Sequence, residues 1–446
     1  MVGIRIKKNL LQSFIDAFII VMQVTYGMSM LKVWLLDPFG LPFIYDITFL
    51  TILCYCLRFK KKFRLILSGG FFLPKLLIVI YLLDFIQLLF KTFAGFALLR
   101  AFFLIDIYFF IEYMVSLYYE CRSVKKDSIS ILTKPYEIYS VYNVITVCIC
   151  AILLMTGVLS ATDNPVPENS LLRGNMDTQT YYFPGHLSLV MSSFRLLGFL
   201  GVPVLTGLSH EPHVLWWIIG PSLYLLLDHY REKKGATLVF LIAFLFLSLL
   251  ATSFIALAVF VATLMLEFFY SFFISKQKSG ILLVFLIAVS FFAIILLKNE
   301  FLMDALSLMV DEKVNSGPED GSMGYSVASL SYLFSPRALF GWGNVTNLGW
   351  GYELKGADIG IISFLLDMVL FISLYVRAFK LFFLKDAHKH YIGLACLYFL
   401  FHSLKLGTQV FTYPYFTFIV VLITIASMNM KPNQLFKGST VAHTIN

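Results

Sequence analysis

The chain has 446 residues, of which 59% are hydrophobic and 13% charged, and its formal net charge is +8. Soluble domains average about half apolar and about a quarter charged residues, so the composition excludes an ordinary soluble protein and predicts an integral membrane protein. The basic residues gather in short segments between apolar runs, as the positive-inside rule requires of cytoplasmic connections. The positive charge therefore indicates orientation in a membrane, and we expect no nucleic-acid partner.

Apolar runs recur along the whole chain, and a transmembrane helix needs about 20 mostly apolar residues. We predict about twelve spans with both termini in the cytoplasm, near residues 13–35, 40–57, 72–90, 101–119, 139–158, 214–228, 236–251, 253–273, 281–297, 360–377, 391–406 and 411–429. The continuous apolar run 236–273 is divided at 251–253, because without a turn the basic segments on either side would face opposite sides of the membrane.

These spans predict an all-α polytopic membrane protein with a single transmembrane domain over residues 1–446. Two external connections, 159–213 and 298–359, are far longer than the others, and long loops in compact domains are usually functional. The apolar stretch 194–213 in the first connection is interpreted as a helix or re-entrant segment at the outer membrane face. The six cysteines fall in apolar runs or beside lysines, which argues against a disulfide framework or a zinc site.

Arg195 is a charge within the otherwise apolar stretch from Leu187 to Leu208. A charge near the bilayer centre costs about 2.5 to 3.5 kcal/mol on insertion scales, and it persists where it is buried in protein or lines a wet cavity. Arg195 is therefore a candidate for contact with substrate. The alternative is a side chain that snorkels to lipid headgroups.

A carboxylate and two imidazoles, Glu211 with His210 and His213, come immediately before the sixth predicted span. At a low-dielectric boundary, such groups can acquire pKa values suited to proton transfer near neutral pH, so each is a candidate general base. Glu211 could instead cap the following helix. A metal site would need further ligands, and Pro212 breaks the i, i+4 geometry of an HExxH motif, so we expect neither a metal nor another cofactor.

The second long connection contains Arg337 in a turn before GWG. A guanidinium binds phosphate oxygens in a bidentate fork, so two external arginines, Arg195 and Arg337, suit a diphosphate. A solvated loop arginine is the alternative. The weaker cationic candidates are Arg173, Lys405, Lys75, Lys91 and Arg100. The candidates for stacking on sugar rings, or alternatively for anchoring at the membrane interface, are Trp342, Trp350 and Tyr352. No Walker sequence is present, which excludes ATP-driven classes.

Two segments resemble a known family. Arg195, Gly198 and the sequence HEPH at 210–213 are similar to the R-x-x-G … E-P segment that leads into a mid-chain span in the bacterial O-antigen polymerases, the Wzy family. The passage 336–367 resembles that family's P-x-x-G-x-G … G-i-l-g-f-l sequence. A twelve-span plan with enlarged loops after spans five and nine matches the family's architecture across the whole chain.

Some members of that family carry an Arg-x10-Gly pattern in each large loop. The corresponding segments, Arg195 to Gly207 and Arg337 to Gly349, are one residue longer, so the resemblance carries over the arginines and not the pattern. The related O-antigen ligases usually have a histidine in the second large loop. Since residues 298–359 contain no histidine, ligation of glycan to lipid A core is the lesser alternative.

The resemblance implies a multispan glycosyltransferase of the C type that joins oligosaccharide units carried on undecaprenyl diphosphate, at the periplasmic face of the bacterial inner membrane. Arg195 and Arg337 would stabilise the leaving diphosphate, while Glu211, or else His210 or His213, would deprotonate the acceptor hydroxyl. Membrane lipids and a chain-length regulator protein are the other implied partners. A flippase or other transporter of the lipid-linked oligosaccharide, and a non-catalytic assembly subunit, are the further alternatives.

Overall fold

The computed structural model describes residues 2–25, 43–59, 63–91, 94–158, 180–182, 189–191, 204–207, 209, 212–250, 254–274, 290, 352–406, 411 and 413–428. Eleven α-helices lie within these ranges: α1 Val2–Thr25, α2 Phe43–Phe59, α3 Phe72–Lys91, α4 Ala94–Ser123, α5 Ser128–Met155, α6 Pro212–His229, α7 Lys234–Leu250, α8 Phe254–Phe269, α9 Tyr352–Phe382, α10 Ala387–Leu406 and α11 Pro414–Met428. A π-helical turn, Tyr270–Ile274, continues α8. The described part of the chain is therefore mostly helical, as the composition predicts.

Most predicted spans overlap a described helix. The predicted division of the run 236–273 is present, because α7 ends at Leu250 and α8 begins at Phe254. Residues 352–359, predicted as the end of the second long loop, instead form the first turns of α9. The span predicted at 281–297 lies outside the described residues, apart from Ser290.

Length and composition together select one described segment, Ser128–Leu154 in α5, as able to cross a membrane, and further apolar segments such as Val214–His229 have 10–17 residues. The described residues therefore support an all-α class but not the count of twelve spans. The long helices α4 and α9 are less apolar, because charged residues such as Asp106 and Asp367 interrupt their sequences.

Contacts among short connections define one end of the bundle. A ring nitrogen of His388, after the α9–α10 turn, is hydrogen-bonded to Asp228 at the end of α6, and the other is 3.8 Å from Asp127 before α5. Tyr270, after α8, donates a hydrogen bond of 3.0 Å to the carbonyl oxygen of Leu384 in the same turn. We call this the basic end, because its turns carry Lys125, Lys126, Arg231, Lys233 and Lys385.

The opposite end, which we call the loop end, is where α6 and α9 begin and α10 ends. Trp217, near the start of α6, donates its indole N–H to the hydroxyl of Ser403, near the end of α10, at 2.9 Å. Helix α10 packs against both α6 and α9. The first long connection leads into α6 and the second into α9, so the two reach the bundle on helices that flank α10.

A small antiparallel sheet lies within the first long connection. Its strands are β1 Thr180–Tyr182, β2 Leu189–Met191 and β3 Val204–Gly207, in the order β1-β2-β3. Strand β3 packs on α5 and α6, where Gly207 has a positive φ of 59° and a Cβ built on it would lie 2.9 Å from the Asn143 side-chain oxygen.

A helix or re-entrant segment is predicted for the stretch 194–213, but Val204–Gly207 within it form strand β3 instead. Residues 194–203 of that stretch lie outside the described residues. A short apolar run has no periodicity that separates a strand from a helix. The strands form because β2 pairs with both β1 and β3, and such pairing joins segments that are separate in the sequence.

Candidate functional site

The predicted site residues divide into two groups. Seven lie outside the described residues: Arg173, Arg195, His210, Glu211, Arg337, Trp342 and Trp350. The other three begin or end helices at the loop end: His213 is the second residue of α6, Tyr352 is the first of α9, and Lys405 is the last but one of α10. The fold thus brings three predicted positions to the same end of neighbouring helices.

A buried polar group lies toward the same end, between α3, α4, α9 and α11. We call it the loop-end cluster; its members are Tyr81, Asp84, Arg100, Asp367 and Thr417. The Tyr81 hydroxyl donates a hydrogen bond of 2.9 Å to the backbone oxygen of Phe411, and Thr417 lies beside it. Arg100, Asp84 and Asp367 all act electrostatically on this phenol, so the five side chains share one neighbourhood.

Burial distinguishes the loop-end cluster from a solvated surface. Tyr81, Asp367 and Thr417 are fully buried, and Asp84 is 5% exposed. Arg100 is half-buried, with its guanidinium carbon 5.7 Å from the centre of the Phe103 ring. Charges in such surroundings are retained when paired, and in a membrane domain they usually mark a functional site.

The chemistry of the cluster follows from its charges. Two carboxylates, Asp84 and Asp367, share the region with one guanidinium, Arg100. A carboxylate can accept a proton from a sugar hydroxyl, and a guanidinium can bind phosphate oxygens. The cluster therefore combines the two kinds of group that glycosyl transfer from a diphosphate requires.

A buried imidazole lies on the neighbouring helix. His402 is fully buried on α10, one turn before Lys405, and its ring centre is 5.9 Å from that of Tyr398. The next residue, Ser403, is the acceptor for Trp217 of α6. His402 is thus a buried imidazole at the end of the bundle where α6 and α10 meet.

Sequence reasoning missed Asp84, Asp367 and His402 as site residues and ranked Arg100 among weak candidates. The signal was present, since Asp84 lies in IVIYLLDFIQLL and Asp367 in IISFLLDMVLF. An ionisable residue inside an apolar helix indicates a functional position by default. The rule that makes Arg195 a candidate holds equally for these carboxylates.

The basic end carries a separate charged group. The hydrogen bond that His388 donates to the Asp228 carboxylate raises the pKa of His388, and the negative charges of Asp127 and Asp386 act in the same direction. Close by, a ring nitrogen of His390 is 2.5 Å from a carboxylate oxygen of Glu267. These contacts join helices at the end opposite to the predicted site, so we interpret them as structural.

Polar groups are also buried away from the loop end. The Arg58 guanidinium is 3.1 Å from Asp16 and 2.7 Å from Glu120. Glu112 accepts backbone N–H bonds from Arg64 and Leu65, at 2.8 and 3.1 Å. A concentration of polar residues at the external face is the pattern that disfavours a transporter, and the described bundle does not have that pattern.

Within the described ranges, no group of three or more His, Cys, Asp and Glu side chains is arranged to hold a metal ion. Comparison of the chain with protein-family models, curated proteins and solved structures gives no match. The resemblance to the O-antigen polymerases therefore rests on the sequence features alone.

Proposed function

We propose that the chain is a membrane glycosyltransferase that polymerises oligosaccharide units carried on undecaprenyl diphosphate, in the bacterial inner membrane. In this proposal the loop end faces the periplasm, the basic end faces the cytoplasm, and the spans number about twelve. The observation that carries the proposal is the burial of Asp84 and Asp367 with Arg100 toward the loop end. The two loops that bear Arg195 and Arg337 lead into helices at the same end.

The reaction needs few groups. The terminal hydroxyl of an incoming lipid-linked unit attacks the anomeric carbon of the growing glycan, and the bond from that carbon to the diphosphate oxygen breaks. The electron pair of the broken bond stays on the diphosphate. Preorganised cations stabilise this developing charge in a water-poor site, and we assign that role to Arg195 and Arg337, with Arg173, Lys405 or Arg100 in support.

The hydroxyl proton passes to a base. Glu211 is the first candidate, with His210 and His213 as alternatives. Asp367 of the loop-end cluster either orients the acceptor or receives the proton from Glu211. A lipid diphosphate leaves without protonation, so no second carboxylic acid is required of the kind that glycosidases use. The aromatic residues Trp342, Trp350 and Tyr352 would hold the sugar rings.

The test is elongation by the purified full-length chain in lipid vesicles. Given only an undecaprenyl-diphosphate-linked oligosaccharide, the protein should convert it into a ladder of multiples, and a chelator should leave the ladder unchanged. Transfer that needs an added lipid A core would identify a ligase instead. A protein that leaves the unit unextended with either acceptor would not be a glycosyltransferase.

A transporter is the second candidate, and the polar groups buried away from the loop end favour it. The side chains of Asp16, Arg58, Asp106 and Glu112 are less than a tenth exposed or held in hydrogen bonds inside the bundle. Vesicles with a fluorescent lipid-linked oligosaccharide in one leaflet distinguish the two functions. Movement of the label to the other leaflet without elongation would support transport, whereas elongation without movement supports the polymerase.

A further inference from the structure

A buried carboxylate, Asp106, lies near the middle of α4 and faces α1 and α2. Its Oδ1 atom accepts from the Gln23 side-chain N–H at 2.8 Å and from the Thr51 hydroxyl at 2.7 Å. The Gln23 N–H group also lies 2.7 Å from the Thr51 hydroxyl, which in turn is 2.7 Å from the backbone oxygen of Ile47. The three side chains are fully buried.

Two oxygens in this triad have no hydrogen-bond partner among the described residues: Oδ2 of Asp106 and Oε1 of Gln23. Both are acceptors if the carboxylate is ionised, so neither can satisfy the other. An unpaired acceptor inside a protein loses its hydration without compensation, and an unpaired buried charge is costlier still. The ionised form of Asp106 therefore fits its surroundings poorly.

Among the described residues, no cation compensates a negative charge on Asp106. Burial and the hydrogen bonds from Thr51 and Gln23 are the influences on the Asp106 carboxyl, with no electrostatic contribution from a cation or a second carboxylate in the described chain. The neighbouring ionisable groups are engaged elsewhere: Arg58 of α2 pairs with Asp16 of α1 and with Glu120 of α4. Asp106 thus lacks the partner that Asp16 has.

We propose that Asp106 is a proton-binding site, in which the carboxyl carries its proton on Oδ2 and donates it to Oε1 of Gln23. The Gln23 N–H donates to Oδ1 in return, so acid and amide pair through two hydrogen bonds. A single proton then removes the charge and gives both unpaired oxygens a partner. The site joins α1 to α4 in the middle of the bundle and does not depend on the proposed polymerase activity.

Infrared spectroscopy of the full-length protein in lipid bilayers tests the proposal. At neutral pH the wild type should show the carbonyl stretch of a protonated carboxylic acid, and Asp106→Asn should abolish it. The Asn amide keeps the shape and can donate an N–H to Gln23, so this variant should fold. The matched control is Glu120→Gln on the same helix, which removes an ion-paired carboxylate and should leave the band intact.

A second variant keeps the acid and changes only its partner. With Gln23→Met the band should persist but shift to the higher frequency of a more weakly hydrogen-bonded acid. This result does not depend on the stability of Asp106→Asn. An unshifted band in Gln23→Met, or one that survives in Asp106→Asn, would assign the proton to another residue.

The remaining outcome is a monovalent cation in place of the proton. In that case the wild type lacks the band at neutral pH, and sodium chloride raises its unfolding temperature above that in choline chloride at equal ionic strength. The proposal predicts the reverse on both points: the band is present, and the two salts give the same unfolding temperature. Observation of the sodium effect without the band would overturn the proton site.

Discussion

At the scale of single residues, the buried charges differ in the partners that they contact. Arg58 is held between two carboxylates and Glu112 by two backbone N–H groups, so these residues stabilise the contacts of α1, α2 and α4. The loop-end cluster is different, because Asp84, Asp367 and the half-buried Arg100 gather around the phenol of Tyr81. Sequence alone shows each of these charges but not its partner, since the pairing depends on which helices meet and at what rotation.

The proposed diphosphate contact predicts an asymmetry between arginine and lysine at position 195. Arg195→Lys should retain membrane insertion and abundance but lose most elongation, because an ammonium is a point charge and lacks the bidentate fork. A snorkelling anchor would tolerate lysine, which reaches headgroups about as well. Polymer length and protein level in membranes are the measurements, with Arg337→Lys made in parallel. Full-length polymer from Arg195→Lys would make Arg195 an orientation residue.

The raised pKa of His388 predicts that the stability of the fold depends on pH. Because its pKa in the folded protein is raised above the ordinary value of 6.5, mainly by the hydrogen bond with Asp228, the protonated ring stabilises the fold. This contribution is fully present below about pH 6.5 and is lost as the pH rises through the folded pKa. The unfolding temperature of the wild type should fall over that pH range, and the unfolding temperature of His388→Asn should fall less. Parallel curves for the two proteins would remove His388 from the pH response.

At the scale of elements, the helices and the break between α7 and α8 could be predicted from apolar runs and the placement of basic residues. The small sheet could not, because its three short strands have no distinguishing periodicity and are defined by pairing over the 28 residues from Thr180 to Gly207. The triad of Gln23, Thr51 and Asp106 was likewise unpredictable, since its members lie on three helices.

Close packing of α6 on α10 gives a prediction at this scale. A Cβ on Gly220 would lie 2.2 Å from the fully buried ring of Tyr398, so Gly220→Ala requires the ring or one of the two helices to shift. Overpacking of this kind typically costs about 1–3 kcal/mol. The control is Gly235→Ala in α7, where nothing lies within 4 Å of the new Cβ, and where alanine favours the helix. In detergent, the midpoint temperature of thermal unfolding should be lower than that of the wild type for Gly220→Ala and not for Gly235→Ala. Equal midpoint temperatures for the two variants would exclude the close contact.

At the scale of the whole molecule, the two ends predict an orientation. In a cysteine-free background, single cysteines at Asn169 and Asn344 should react with an impermeant thiol reagent in cells with a permeable outer membrane. A cysteine at Lys61, in the α2–α3 connection, should stay unlabelled, because basic turns remain in the cytoplasm. Labelling confined to Lys61 would reverse the orientation and move the loop end to the cytoplasm.

The assignment of function to the loop end rests on one contrast between carboxylates at opposite ends of the bundle. Asp367 is fully buried in the loop-end cluster, whereas the Asp127 side chain is 54% exposed at the basic end. With purified protein and a lipid-linked oligosaccharide, Asp367→Asn should lower the elongation rate about a hundredfold or more, the usual effect of losing a proton-transfer group. Asp127→Asn should elongate like the wild type. If Asp367→Asn is abundant in the membrane and gives wild-type polymer, the loop-end cluster is structural and the site lies elsewhere.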